Sequence, residues 1–175
     1  MHLNKLNIDI RCDKIQGYMN KFMIEALAEA RTAEELGEIP IGAIIERDGE
    51  ILGRGHNMTE TLKDPTAHAE MLAIRQAAEK IGGWRLANCN MYVTIEPCAM
   101  CSGAIVWARI KKLYIGAMDA KGGGCGSIFN IVQEQRLNHY VEIETGIMEE
   151  QCREIVKGFF KKLRKSQDKK PEGNR

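Results

Sequence analysis

The stretch MYVTIEPCAMCSGAIVWAR, residues 91–109, sets the architecture that the sequence predicts. Its first part, residues 91–94, is a short apolar run with β-branched and aromatic side chains, which indicates a buried strand. Its second part, residues 98–109, predicts a helix. Cys98 and Cys101 stand three residues apart, so they share a face of the first helical turn, where the positive end of the helix dipole favours thiolates.

Outside this stretch, segments with strand and helix patterns alternate along the chain. Residues 41–45 and 51–55 flank Asp48-Gly49, a pair that predicts a hairpin turn between two antiparallel strands. Asp64-Pro65 predicts the start of a helix that continues to Gly82, with Asp64 as its N-cap. The remaining predictions are helices at 21–35, 127–133 and 149–165, and strands at 112–116 and 140–144. This alternation predicts an α/β domain with helices on both faces of a sheet of about five strands.

His68, Glu70, Cys98 and Cys101 together indicate a zinc site with its own acid/base. One imidazole and two thiolates supply three donors to a metal that prefers four, which leaves a position for water. Zinc lowers the pKa of a bound water to roughly 7, far below that of free water. Glu70 lies two residues from His68 and is predicted to move protons rather than to bind the metal. Residues two apart do not share a face inside a helix, so the position of this pair at the helix start is expected to matter.

Each half of this pattern is ambiguous by itself. His-x-Glu is a common tripeptide, and Cys-x-x-Cys also occurs as a redox pair or as half of a structural zinc site. The two halves jointly resemble the His-x-Glu and Pro-Cys-x-x-Cys signature of zinc-dependent nucleobase deaminases. His56 and His139 are interpreted as structural residues, because a fourth protein ligand would displace the water.

Length and composition suit one folded domain. The chain has 175 residues, 44% of them hydrophobic and 28% charged, which is enough for a sizeable core. The first 18 residues lack the apolar block of a signal peptide or membrane span, so a cytoplasmic protein is expected. The six cysteines are then expected to be reduced thiols, two of them metal-bound. The predicted organisation is an N-terminal extension at 1–18, a zinc-dependent deaminase domain at 19–166 and a basic, disordered tail at 167–175.

The charge of the chain is unevenly distributed. The net charge is +1, yet residues 153–175 carry nine Lys or Arg against three Asp or Glu. A basic arm of this kind attracts RNA phosphates whatever their sequence. The alternative is a solvated helix end with a frayed tail, which the charge alone favours.

Seven segments carry a closer resemblance. They are Ile39-Pro40-Ile41-Gly42-Ala43, Asp64-Pro65-Thr66-Ala67-His68-Ala69-Glu70, Trp84-Arg85-Leu86, Tyr92-Val93-Thr94-Ile95-Glu96-Pro97-Cys98, Gly116-Ala117-Met118-Asp119-Ala120-Lys121, Leu137-Asn138-His139 and Phe159-Phe160. With them the chain resembles, over residues 19–166, the bacterial tRNA-specific adenosine deaminases of the cytidine deaminase superfamily. The resemblance implies a three-layer α/β/α cytidine-deaminase-like fold, one zinc ion per subunit and a homodimer. It also implies hydrolytic conversion of the wobble adenosine of a tRNA anticodon to inosine, with release of ammonia.

The resemblance assigns roles to individual residues. His68, Cys98 and Cys101 are expected to bind zinc and Glu70 to act as the catalytic acid/base. Contact with the base is expected from Asn57 and from the backbone around Ala69 and Cys98. Contacts with flanking nucleotides, through phosphates and by stacking, are expected from Asp119, Lys121, Asn138, His139, Phe159 and Phe160.

Several of these residues have ordinary alternatives. Asn57 also fits a loop residue that caps its own turn. A Phe pair on an amphipathic helix usually belongs to the core, and residues 119–121 before a glycine run usually form a turn. Trp84 and Trp107 are interpreted as core packing.

Two other functions share the metal motifs. A free-base deaminase acting on guanine or cytosine would turn over small molecules without RNA, and the 137–139 segment and the basic arm argue against it. A catalytically silent zinc scaffold that binds RNA or a partner would be supported by a fourth protein donor on the metal, and the intact Glu70 argues against it.

Overall fold

The centre of the structure is a five-stranded mixed sheet with the strand order β2-β1-β3-β4-β5. The structure is a computed structural model that describes residues 3–167, and the side chains of residues 16–166. In chain order the elements are α1 (Leu3–Glu35), β1 (Gly42–Arg47), β2 (Glu50–His56), α2 (Thr59–Leu62), α3 (Ala69–Ile81), β3 (Asn90–Ile95), α4 (Ala99–Ala108), β4 (Lys112–Ala117), β5 (Glu142–Thr145) and α5 (Glu149–Gln167). Strand β1 is antiparallel to β2 and to β3, while β3, β4 and β5 run parallel.

Alternating residues of the central strands supply two separate cores. In β1, Ala43 and Ile45 pack with residues of α3 and α4, whereas Ile44 packs on the other face with residues of α1 and α5. In β3, Tyr92 belongs to the same second core and stacks on Tyr114 at 4.4 Å between ring centroids. The sheet is therefore covered on both faces, as in the predicted three-layer α/β/α fold.

Helix α3 lies very close to β2. A Cβ atom at Gly55 would lie 2.7 Å from the Ala73 nitrogen and closer still to the Ala69 carbonyl oxygen. The absence of a side chain at Gly55 thus allows the first turns of α3 to rest on the strand, which positions the residues at the start of that helix.

The first helix is longer than the sequence predicts. It begins at Leu3 rather than at residue 21, so most of the expected extension continues the same helix. The Tyr18 hydroxyl donates a hydrogen bond to Glu46 Oε2 at 3.2 Å, and the ring stacks edge-on against Phe22. At least this residue of the 1–18 segment packs on the sheet. The predicted disorder of the tail concerns residues 167–175, of which 168–175 lie outside the described residues.

The prediction for the start of the third helix was also wrong. Helix α3 begins at Ala69, with His68 as its N-cap in an extended conformation. Asp64 Oδ1 instead accepts hydrogen bonds from the Thr66 nitrogen and hydroxyl, both at 2.7 Å. The Asp-Pro pair therefore closes a turn before the helix, and a short helix, α2, occupies the preceding loop.

Residues 127–133 form turns and an isolated bridge, not the expected helix. The Ser127 nitrogen is bonded to the carboxylate of Glu96, far away in sequence. Trp84 and Trp107 are 52% and 67% exposed, so the interpretation of both as core residues was wrong.

Two further observations concern the described residues. Cys89, Cys98, Cys101, Cys125 and Cys152 all carry free thiols. Within residues 3–167, none of the helices combines the length and the apolar composition that a membrane span requires.

Candidate active site

Three potential metal donors meet where two helices begin. His68 is the N-cap of α3, Cys98 is the N-cap of α4, and Cys101 lies in the first turn of α4. Their donor atoms all lie within 4.8 Å of one another. The positive ends of two helix dipoles thus converge on two thiols, which favours their ionised form.

The donor set fits zinc in chemistry and in spacing. His68 Nδ1 lies 3.7 Å from Cys98 Sγ and 3.5 Å from Cys101 Sγ. Tetrahedral zinc with ordinary Zn–N and Zn–S bond lengths separates such a nitrogen and sulfur by about 3.6 Å. The hydrogen bond from Cys101 lowers the pKa of Cys98 to about 5, whereas the bond to Cys98 and burial raise the pKa of Cys101. The lowered pKa of Cys98 favours its thiolate, which is the form that binds a metal.

Glu70 lies in the first turn of α3, two residues after His68, and its side chain is only 3% exposed. Burial raises the pKa of Glu70 to about 6. Because His68 precedes the helix in an extended conformation, the two side chains reach one site despite a spacing that would separate them inside a helix. A carboxyl group with a pKa near neutral both accepts and returns protons readily.

Asn57 follows β2 and is held by a buried carboxylate. Its Nδ2 donates to Glu38 Oε2 at 3.1 Å and to Thr59 Oγ1 at 3.2 Å. Burial alone would raise the pKa of Glu38, but hydrogen bonds from Thr61 and Thr59 outweigh it, and the pKa is lowered. An ionised carboxylate only accepts hydrogen bonds. Glu38 therefore fixes the orientation of the Asn57 amide and leaves Oδ1 as its remaining polar atom.

Glu96 follows β3 and is bonded to the loop after β4. Its carboxylate accepts hydrogen bonds from the backbone nitrogens of Asp119, Cys125 and Ser127 at 2.9 to 3.0 Å, and from the Ser127 hydroxyl. Burial raises the pKa of Glu96, but the bonds from Ser127, Asp119 and Cys125 outweigh it and lower the pKa. Glu96 is therefore a fixed anion beside the metal donors.

These groups surround one cavity of about 170 Å³. It is lined by Ile39, Ile41, Asn57, Thr59, His68, Glu70, Ile95, Glu96, Cys98 and Asp119. The structure thus brings together most of the residues predicted for the metal, for proton transfer and for the base. Ala69 lies between His68 and Glu70 and is fully buried in the core, and the contact expected from its backbone stays a prediction.

Glu38, Thr59 and Glu96 were not singled out from the sequence. Glu96 was quoted only as the residue before Pro97-Cys98. A signal was available for both glutamates. Glu38 precedes the predicted strand 41–45 by three residues and Glu96 follows the predicted strand 91–94 by two, and an unpaired charge buried there is costly.

A second cavity, of about 550 Å³, lies beside α5. It is lined by Lys121, Val156, Lys157, Phe160, Lys161 and Arg164. Phe159 packs edge-on against Phe160 at 5.5 Å between ring centroids. Predicted RNA contacts from two distant segments, Lys121 and Phe160, therefore share one cationic surface.

Asn138 and His139 lie elsewhere. The Arg109 guanidinium donates to both the carbonyl and the side-chain oxygen of Asn138 at 2.9 Å, and His139 Nε2 bonds the Ile110 carbonyl at 2.7 Å. Both partners follow the C-terminal end of α4, whereas Cys98 begins that helix. The structure therefore does not bring these two residues to the active-site cavity. His56 also lies apart from the metal donors and bonds Glu29 Oε2 through Nδ1 at 2.9 Å.

Comparison with known proteins agrees with this geometry. The sequence profile of the MafB19-like deaminase family matches residues 18–164. Together with the site, this match defines the class of the protein as a deaminase.

The relatives narrow the class. The chain is 49% identical over 144 residues to the tRNA-specific adenosine deaminase of Bacillus subtilis, which covers 82% of this chain and 89% of the relative. A solved structure from a study of A-to-I editing by tRNA:A34 deaminases at the wobble position of transfer RNA superposes with a TM-score of 0.75 at 44% identity, covering 77% of this chain and 98% of its own. A guanine deaminase from Nitrosomonas europaea, at 21% identity and a TM-score of 0.70 over 80% of this chain and 83% of its own, shares the fold alone. The chain therefore belongs to the family of tRNA-specific adenosine deaminases.

Proposed function

We propose that this chain deaminates the adenosine at the wobble position of a tRNA anticodon, with zinc as its metal. The observation that carries the proposal is the cluster of three potential metal donors, two of which line one cavity together with the buried Glu70 carboxylate. The net reaction consumes one water and converts adenosine to inosine and ammonia.

His68, Cys98 and Cys101 would hold the zinc ion. When bound, zinc supplies a Lewis acid that makes water a nucleophile near neutral pH. Three protein donors suit a catalytic site, because the fourth position stays available for water.

Glu70 is the group that moves protons. Its carboxylate takes a proton from the water and passes it to N1 of the adenine ring, while the water oxygen bonds to C6. The second proton goes to N6, the C6–N6 bond breaks and ammonia leaves. The pKa of about 6 suits both directions of transfer.

The base is held by Asn57 and by apolar walls. Asn57 offers Oδ1 to the substrate, because Glu38 and Thr59 take its amide protons. Ile39, Ile41 and Ile95 line the cavity and provide surfaces for the faces of a base that has left its stack. Backbone groups near Ala69 and Cys98 complete the contact.

The flanking nucleotides are placed over the loop that follows β4 and over α5. Asp119 borders the active-site cavity, and Lys121 borders the cationic cavity next to Phe160. Phosphates are attracted by Lys121, Lys161 and Arg164, and the Phe159–Phe160 pair offers aromatic surface for stacking. Asn138 and His139 stay predictions. Arg109 donates to the backbone and side-chain oxygens of Asn138, and His139 Nε2 bonds the Ile110 carbonyl.

The assembly is proposed to be a homodimer. Met100, Gly103 and Trp107 lie on one face of α4, and Trp107, Gly103 and Leu137 line a common cavity of about 380 Å³. Met100, Trp107 and Leu137 are all exposed. An apolar face of this kind marks an interaction site, and a second copy of the chain would bury it. A cytoplasmic location, where tRNA is found, is part of the same proposal.

The test is inosine formation by the purified, zinc-loaded protein. An anticodon stem-loop should be deaminated, with little turnover of free adenosine, guanine or cytosine. Glu70→Gln should retain zinc and lose on the order of 10² to 10⁴ in rate.

Glu79→Gln is the matched control, because it makes the same change at an exposed position of the same helix. It should behave like the unaltered protein. Turnover of guanine or cytosine in preference to the stem-loop would replace the tRNA proposal, and full activity of Glu70→Gln would remove the role assigned to that carboxylate.

A further inference from the structure

One buried carboxylate organises the loop that follows β4. Residues 118–127, here named the β4 loop, surround the side chain of Glu96. Its Oε2 accepts from the Asp119 nitrogen and the Ser127 hydroxyl, and its Oε1 accepts from the nitrogens of Cys125 and Ser127. An ionised carboxylate has about four acceptor sites, so its capacity is filled by this single loop.

The loop also closes tightly around the carboxylate. A Cβ atom at Gly123 would lie 2.5 Å from Glu96 Oε1 and closer still to Oε2. The Gly124 nitrogen donates to the Pro97 carbonyl at 2.7 Å, and Cys98 and Gly123 form an isolated bridge. The backbone that carries the potential metal donor Cys98 is thus joined to the β4 loop directly, in addition to the hydrogen bonds of the Glu96 side chain.

The β4 loop carries two residues that the proposed function places against RNA. Asp119 donates its backbone nitrogen directly to Glu96, and Asp119 Oδ1 in turn accepts from the Lys121 nitrogen at 2.9 Å. Lys121 borders the cationic cavity beside Phe160. A chain of two hydrogen bonds therefore runs from Glu96 to the RNA surface.

We propose that Glu96 is a positioning residue for RNA binding: it fixes the β4 loop so that Asp119 and Lys121 present a preformed surface next to the metal donors. This inference rests on the proposed function. It assigns Glu96 no part in proton transfer. The expected consequence of disturbing it is weaker binding of the anticodon stem-loop, with the chemical step largely retained.

Glu96→Gln tests this inference because it replaces an acceptor oxygen with an NH₂ group that faces donors. At least one loop donor then loses its partner. The Kd for an anticodon stem-loop should rise roughly 5- to 100-fold, the equivalent of one or two unsatisfied buried hydrogen bonds. The rate at saturating stem-loop should fall by less than about threefold, a change of well under 1 kcal/mol in the barrier.

Glu46→Gln is the matched control. Glu46 is also fully buried, and it accepts hydrogen bonds from Tyr18, Gly49 and Asn90. Glu46 pairs with Asn90 at the start of β3, whereas Glu96 follows the end of that strand, about 20 Å further along it. Glu46→Gln should lower thermal stability as Glu96→Gln does, but leave the Kd unchanged. An equal rise in Kd for both variants would show that Glu96 acts through stability alone.

A double-mutant cycle with Lys121→Ala separates positioning from a merely structural role. If Glu96 acts through the loop, most of the effect of Lys121→Ala on Kd disappears in the Glu96→Gln background. Additive effects of the two substitutions overturn the proposal. Should Glu96→Gln fold poorly, Ser127→Ala gives the same test, since it removes only the hydroxyl donor. It should raise Kd less and show the same coupling to Lys121.

Hydrogen exchange distinguishes failure of this inference from failure of the proposed function. The Asp119, Cys125 and Ser127 amides should be protected in the unaltered protein and exchange faster in Glu96→Gln, with or without RNA. Unchanged protection overturns the role of Glu96 in ordering the loop. A different outcome is faster exchange in Glu96→Gln when the unaltered protein has no activity on a stem-loop. That outcome would support the role of Glu96 in ordering the loop but would contradict the proposed tRNA function.

Discussion

Replacing Gly55 by alanine should damage the active site through the backbone, although Gly55 contacts no substrate. Its added Cβ would lie 2.7 Å from the Ala73 nitrogen, whereas ordinary van der Waals contact begins at 3.4 Å. The neighbouring atoms belong to the backbone of α3, so no side chain can rotate away. To restore a 3.4 Å contact with the Ala73 nitrogen, the helix must move away from β2 by about 0.7 Å. The Ala69 carbonyl oxygen is closer still, so it requires a larger shift.

The size of the effect follows from what α3 carries. Overpacking of this kind typically costs about 1–3 kcal/mol of folding free energy. The clash falls at the first turn of the helix, directly between His68 and Ala73, so the shift reaches Glu70. A displacement of about 1 Å at a reacting group costs on the order of 10² in rate. Gly55→Ala should therefore lose about two orders of magnitude in kcat/KM and also unfold at lower temperature.

Two alanine controls make the measurement specific. At Gly53 the Cβ would lie 2.9 Å from the Ala77 nitrogen, about a turn further along the same helix. Gly53→Ala should cost similar stability with a smaller loss of rate. At Gly158, in α5, no atom lies within 4 Å, so alanine should raise stability by up to about 1 kcal/mol. Inosine formation on a stem-loop and thermal unfolding are measured for all three. Unaltered activity and stability of Gly55→Ala would refute the reasoning.

Two predictions concern the proposed assembly and RNA surface. Trp107→Glu should place a charge in the exposed apolar face and convert a dimer to a monomer in sedimentation equilibrium; an unchanged mass contradicts the α4 interface. Replacing Lys161 and Arg164 by alanine should weaken stem-loop binding and reduce the slope of log K against log salt by roughly 0.7 per lost phosphate contact. Lys162→Ala is the control, because Lys162 pairs with Glu34 at 2.7 Å. Equal slopes for all variants would show that the basic end of α5 is an ordinary solvated helix end and does not contact RNA.

Much of the fold and of the metal site could be predicted because their signals are local. The Asp48-Gly49 turn fixes the β1–β2 hairpin, and both residues have the positive φ angles, 54° and 87°, that such a turn requires. Cys98 and Cys101 stand at the start of a helix, where their spacing brings two sulfur atoms to one side. These features depend on residues only a few positions apart.

The features that the sequence did not reveal depend on distant partners. Residues 127–133 have a helical pattern, yet the Ser127 nitrogen donates a hydrogen bond to Glu96, which is distant in sequence. Asp64 resembles a helix N-cap, but the helix begins only at Ala69, since the sheet fixes where α3 can approach β2. The sequence alone does not distinguish an outward-facing tryptophan such as Trp107 from a core residue. The distinction requires knowing which face of α4 packs against the rest of the domain.

The three glutamates around the active-site cavity show how one fold assigns them different tasks. All three are buried, which by itself raises a carboxyl pKa. Glu38 and Glu96 receive enough hydrogen bonds to reverse that effect, so both stay ionised and serve as fixed acceptors for Asn57 and for the β4 loop. At Glu70 burial prevails, and its pKa rises to about 6. This contrast supports the proposal that Glu70 transfers the protons, because hydrogen bonds already commit the other two carboxylates to holding Asn57 and the β4 loop in place.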